Sequence, residues 1–76
     1  MNLKQKDLIG KKIKWMYIND GGDLCFDFED GDTLRICPYI IDEWNILFDI
    51  FMRDDKGVDY AYRNSREMSG PLEKGV

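Results

Sequence analysis

The stretch that decides the fold is residues 13–28, which read IKWMYINDGGDLCFDF. On both sides of the central Asn-Asp-Gly-Gly, apolar and polar side chains alternate, as they do in half-buried strands. An Asp20-Gly21 pair between two such runs is typical of a two-residue hairpin turn. The sequence therefore predicts an antiparallel hairpin at this position.

A two-residue turn also fixes which residues of the hairpin lie opposite one another. The expected apolar pairs are Tyr17 with Leu24, Trp15 with Phe26 and Ile13 with Phe28. The expected charged pairs on the other face are Lys14 with Asp27 and Lys12 with Glu29. Apolar and opposite-charge cross-strand pairs stabilise antiparallel ladders, so both faces favour this register.

The next turn, Glu29-Asp30-Gly31, suits a three-residue loop with Gly31 in the left-handed conformation. It extends the apolar face by pairing Phe26 with Leu34 and Leu24 with Ile36. Because proline lacks the N–H that a ladder requires, Pro38 is expected to end the third strand.

Residues 39–53 fit two patterns, since their apolar residues match helical spacing and also alternate as in a strand. The following Asp55-Lys56-Gly57 turn favours strands over 45–53 and 58–63, with a loop at 39–44. The expected pairs are Met52 with Tyr60, Ile50 with Tyr62 and Arg53 with Asp59. A helix over 39–51 would make the fold α+β instead.

The predicted fold is mainly β, a small five-stranded antiparallel meander or half-barrel with a short N-terminal helix over residues 3–9. Residues 1–63 are expected to form a single small domain, and the polar residues 64–76 a flexible C-terminal tail.

The composition points away from catalysis. The chain has 76 residues, a net charge of −4, two cysteines and no histidine. Without histidine it lacks the usual acid–base group at neutral pH and the commonest transition-metal ligand. Arg35, expected opposite Cys25, could lower the pKa of that thiol, but a structural cysteine is the commoner role. We expect no enzyme activity, no cofactor, no metal site and a cytoplasmic location.

The distribution of charge suggests a protein partner. Residues 1–18 contain five lysines and one aspartate, whereas residues 19–34 contain six acids and no base. We expect a protein-binding module that meets a basic surface through acidic turns and an apolar strip, to which Met16 and Ile18 could add. The interface residues are Asp20, Asp23, Asp30, Asp32, Leu47 and Phe51. The profile of small size, acidity and hairpins resembles that of small inhibitors from phages and mobile elements, including anti-defence proteins and toxin-immunity partners.

Two other functions stay open, together with self-association. A nucleic-acid-binding small barrel would use lysines and aromatic platforms, although an overall isoelectric point near 4.6 opposes it. Its residues would be Lys12, Lys14, Tyr60, Tyr62 and Arg63. A binding or sequestering protein for a small, nucleotide-like ligand would line a cleft with Trp15, Trp44 and the tyrosines. A homodimer is expected in each case, because a small sheet has open edges. A membrane partner is not expected.

Overall fold

Five strands form one antiparallel sheet in the computed structural model, which describes residues 2–67 and 71–75. The strands are β1 (Ile13–Ile18), β2 (Leu24–Phe28), β3 (Thr33–Ile40), β4 (Ile46–Arg53) and β5 (Asp59–Asn64). Their spatial order is their chain order, and the sheet is open. The predicted mainly-β meander is thus confirmed, and residues 39–51 are not helical.

The N-terminal helix is shorter than predicted, a single 3-10 turn over Gln5–Asp7. Backbone N–H groups in and beside this turn donate to other segments of the chain. The Leu3 N–H donates to the Tyr62 carbonyl (2.9 Å), and the N–H groups of Gln5 and Lys6 donate to the carbonyls of Glu73 and Lys74. The Lys6 N–H, which a helix over residues 3–9 would direct at the Asn2 carbonyl, thus bonds to Lys74 instead. A second 3-10 turn, Ser65–Glu67, follows β5.

The first hairpin has a three-residue loop, so part of its predicted register is wrong. The Asn19 side chain accepts hydrogen bonds from the N–H groups of Gly21 and Asp23, and Gly22 takes the positive φ of 83°. Ile18 therefore lies opposite Leu24, and Tyr17 opposite Cys25. A bulge between Ile13 and Trp15 then restores the predicted Ile13–Phe28 pair.

This shift changes which face each β1 side chain occupies. Met16 lies opposite Phe26 and shares a face with it, whereas Trp15 lies opposite Asp27. Trp15 and Tyr17 therefore leave the face on which the sequence analysis placed them.

The hairpin formed by β4 and β5 shows the same kind of difference. Arg53 pairs with Asp59 as predicted, but Met52 lies opposite Ala61 rather than Tyr60. A bulge at this point adds one residue to β5, so Tyr62 lies opposite Phe51 instead of Ile50. Between these hairpins, the predicted β2–β3 register is confirmed, including the Cys25–Arg35 pair and Gly31 at a φ of 96°.

Pro38 does not end β3, which continues to Ile40. Pro38 lies opposite Phe48, whose N–H donates away from β3 to the Ser65 hydroxyl (2.9 Å). The backbone of Pro38 must then face β2, because such antiparallel pairs point their polar groups outward. Since β2 begins at Leu24, opposite Ile36, no β2 residue needs a donor from Pro38.

One face of the sheet holds the core, and we call it the core face. Leu3, Phe28, Met52 and Ala61 form the buried cluster, and Leu8, Phe26, Leu34, Ile50, Tyr60 and Leu72 pack around it. Leu3, Leu8 and Leu72 come from segments outside the strands. The N-terminal segment and residues 71–75 therefore cover the core face from one side.

The predicted tail spans residues 64–76, of which 68–70 and 76 lie outside the described residues. Residues 71–75 run beside the N-terminal turn, with Gln5 N–H to Glu73 carbonyl at 2.7 Å and the Gln5 side-chain amide to Leu72 carbonyl at 2.7 Å. Leu72 packs on the core cluster. The division at residue 63 stays a prediction that a substitution in this segment can test.

We expect Leu72→Asp to lower the free energy of unfolding by about 1–3 kcal/mol, because it places a charge against the core cluster. Urea denaturation followed by circular dichroism measures the loss. Glu73→Asn, at an exposed neighbouring position, serves as the control. Equal stability of the two variants would mean that residues 71–75 do not support the core.

Candidate protein-binding face

Only half of the core face is covered. The uncovered half, which we call the open apolar patch, comprises Met16, Ile18, Ile40, Ile46 and Phe48, all of them exposed. Met16 and Ile18 lie at the β1 edge, in the rows of Phe26 and Leu24, and the Pro38–Phe48 and Ile40–Ile46 pairs form the next two rows. Ile40 is 75% exposed. Contiguous exposed apolar surface of this kind marks an interaction site.

The loop between β3 and β4 borders the patch. Ile41 is exposed there, and Trp44 is 89% exposed, which is unusual for so large an aromatic side chain. The Asp42 carboxylate holds the loop by accepting hydrogen bonds from the Trp44 N–H (2.8 Å) and the Asn45 side chain (2.9 Å). The Asn45 and Trp44 bonds hold the pKa of Asp42 below its usual value, so this carboxylate is ionised at neutral pH.

Acidic side chains lie at the same end of the sheet. In a meander, the β1–β2 turn and the β3–β4 loop both lie at this end. The first contains Asp20 and Asp23, and the second contains Asp42 and Glu43. We call these four residues the acidic rim. The rim gives the open apolar patch a negative border.

The other two predicted interface acids, Asp30 and Asp32, lie in the β2–β3 turn at the opposite end of the sheet. Lys11 binds both carboxylates, and the Lys11 Nζ–Asp32 Oδ2 distance is 2.7 Å. The Tyr60 hydroxyl also donates to Asp32 (2.6 Å). These contacts give Asp30 and Asp32 partners within the chain, and the sequence analysis did not single out Lys11.

The Lys11 cluster shifts the pKa of its members. Burial raises the pKa of Tyr60 to about 12, and the hydrogen bond to Asp32 adds to the shift. The hydrogen bond from Lys11 lowers the pKa of Asp30. Burial by itself would lower the pKa of Lys11, but the two aspartates raise it above its usual value. Lys11 and Asp30 are therefore charged at neutral pH, and Tyr60 is protonated.

Leu47 and Phe51, both predicted interface residues, occupy the face of β4 opposite the core. Phe51 is half-buried there, 5.0 Å from the Tyr62 ring and 5.0 Å from the Arg35 guanidinium. However, Met16 and Ile18 lie on the core face, so they do not extend this strip. The structure thus separates Leu47 and Phe51 from the open apolar patch.

The residues proposed for nucleic-acid binding do not meet. Tyr60 packs on the core cluster, whereas Tyr62 lies on the opposite face with its hydroxyl on Asp49 (2.7 Å). Lys12 and Lys14 belong to the β1 edge, and Arg63 belongs to β5 at the other edge. Trp15 lies in β1 on the face opposite the core, and Trp44 lies in the loop between β3 and β4.

Both cysteines are free thiols. Burial raises the pKa of Cys25 and of Cys37, despite the neighbouring Arg35. Both are therefore protonated and weakly nucleophilic at neutral pH. Within residues 2–67 and 71–75, no group of three or more cysteine or acidic side chains is placed to hold a metal ion.

Comparisons with protein-family models, curated protein sequences and solved structures gave no match. In the part of the chain that the structure describes, no helix is long and apolar enough to cross a bilayer.

Proposed function

We propose that this chain is a non-catalytic protein-binding module, acting as an inhibitor or accessory protein, that binds a partner with a basic surface. The observation that carries the proposal is the open apolar patch beside the acidic rim. Half of a small sheet's core face is exposed, and covering it with a partner would remove that apolar surface from water. The resemblance in profile to anti-defence and immunity proteins fits such a role.

The acidic rim defines the chemistry of the partner. Apolar contact at the patch would supply most of the affinity, and a few large side chains usually dominate such an interface. Trp44 and Ile40 are the most exposed apolar residues at this end of the sheet. The four rim carboxylates would meet lysine or arginine side chains around that contact, which speeds association and excludes acidic surfaces. We therefore expect an apolar partner site bordered by basic residues.

The test is a pull-down from source-cell lysate after nuclease treatment, followed by calorimetric titration of the recovered protein with variants. We expect Ile40→Asp/Ile46→Asp to weaken binding at least about 30-fold, as loss of central interface residues does. Asp42→Lys/Glu43→Lys should weaken binding and reduce its dependence on salt. An inhibitor should also lower the activity of the recovered partner.

Val58→Asp is the matched control, since Val58 and Ile46 are both 56% exposed but Val58 lies in the β4–β5 turn at the other end. It should bind as the wild type does. A partner that binds both patch variants with wild-type affinity would contradict the proposal. Recovery of nucleic acid in place of a protein would favour the nucleic-acid-binding alternative.

A further inference from the structure

The two edges of the sheet differ. At the β5 edge, the N-terminal segment forms a bridge between Asn2 and Tyr62, and the Leu3 N–H donates to the Tyr62 carbonyl. At the β1 edge, no residue within 2–67 or 71–75 forms a ladder with the outer side of the strand. The structure thus leaves β1 as the open edge.

The backbone of β1 has polar groups pointing out of the sheet. Asn19 and Asp23 form a hydrogen-bonded pair, with Asn19 N–H to Asp23 carbonyl at 3.0 Å. Because such pairs alternate along an antiparallel ladder, Met16 and Ile18 direct their N–H and C=O groups away from β2. All six side chains of β1 are exposed as well. An exposed edge with apolar side chains is a ready template for another strand.

The charges around β1 indicate which kind of strand would pair with this edge. Lys12 and Lys14 lie at its start, and Asp20 and Asp23 follow its end. An antiparallel copy of β1 reverses this order, so a two-fold axis near Met16 brings Lys12 of each copy opposite Asp20 of the other, at the two ends of the paired strands. A parallel copy would place like charges together. The charge pattern of β1 is therefore complementary to itself about a two-fold axis.

We propose that two copies of this chain pair their β1 strands antiparallel and form a homodimer with one continuous ten-stranded sheet. A two-fold axis near Met16 keeps both core faces on the same side. It also places Trp15 of each copy near Tyr17 of the other on the opposite face, where aromatic cross-strand pairs stabilise a ladder. Because the N-terminal segment already bridges β5 at Tyr62, we expect pairing to stop at two copies. In such a dimer Lys12 of one copy would occupy Asp20 of the other, so Asp42 and Glu43 would be the part of the acidic rim left for another partner.

Analytical ultracentrifugation of charge variants tests the dimer. We expect the wild type to dimerise, and either Lys12→Asp/Lys14→Asp or Asp20→Lys/Asp23→Lys to raise the dimer dissociation constant about 10-fold or more. An equal mixture of these two variants should form heterodimers with near wild-type affinity. Circular dichroism of each variant checks that the monomer remains folded.

Met16→Pro tests the backbone pairing separately. It removes an N–H that points out of the sheet, and proline is tolerated at such edge positions, so we expect a folded monomer. Tyr17→Pro is the contrast, since it removes an N–H directed at β2 and should destabilise the monomer itself. A monomeric wild type overturns the proposal, as does a dimer that neither the charge variants nor Met16→Pro weakens. Such outcomes leave the patch proposal standing, because that proposal is tested with Ile40, Ile46, Asp42 and Glu43.

Discussion

Met52→Ala should lower the free energy of unfolding by about 2–5 kcal/mol, the usual cost of a large-to-small substitution in a core. Met52 is 0% exposed, at the centre of a buried cluster with few other members. Because the core has so few side chains, they cannot readily shift to fill the resulting cavity. Chemical denaturation at neutral pH measures the loss, and in a small domain it takes a large part of the total stability.

Ile46→Ala is the matched control. Ile46 and Met52 lie in the same strand and on the same face, but Ile46 belongs to the open apolar patch and is 56% exposed. We expect a change of less than about 1 kcal/mol, because a substitution at an exposed position leaves no cavity. If both variants lost equal stability, the patch would already be covered in solution, as it would be in a dimer that buried it. Repeating the measurement over a range of protein concentrations separates these cases.

The sequence predicts the number, order and direction of the strands because alternation and turn residues are local signals. The central hairpin is right in every pair, since Gly31 is the residue that its three-residue loop requires. The outer hairpins are each displaced by one residue over part of their length. In the first, the Asn19 side chain favours the longer loop, and Gly22 rather than Asp20 takes the positive φ. No comparable sequence pattern indicates a β-bulge, so the register changes at the two bulges could not be predicted.

The candidate site could be predicted less well than the strands. It depends on which half of the core face the N-terminal segment and residues 71–75 cover. The alternation of Trp44, Ile46, Phe48, Ile50 and Met52 shows that β4 has one apolar side. This alternation does not show that Leu3, Leu8 and Leu72 cover only the part of the core face around Met52. Likewise, the acids of residues 19–34 look alike in sequence, but Lys11 binds only Asp30 and Asp32. Long-range contacts decide both questions.

Lys11→Met should lower the free energy of unfolding by about 1–3 kcal/mol, the cost of leaving a partly buried polar group without its partner. The Lys11 side chain is 13% exposed and that of Asp32 19%, so water replaces the lost contact poorly. Methionine keeps most of the aliphatic stem and removes the charged amine, which lies 5.6 Å from the centre of the Phe28 ring. Urea denaturation of both proteins at neutral pH gives the difference. Lys12→Met, at an exposed position without an ion pair in the described chain, should change stability by less than about 0.5 kcal/mol.

The pH dependence of this difference identifies its origin. Lys11 lowers the pKa of Asp30 in the folded state, so the stabilisation it gives is complete above the unfolded value of about 4 and is lost as the pH falls through the lower folded value. Wild type and Lys11→Met should therefore converge in stability in acid. A difference that stayed constant down to low pH would assign the effect to packing of the Lys11 stem instead. Convergence would show that Lys11 stabilises the fold through its charge, by way of its contact with Asp30.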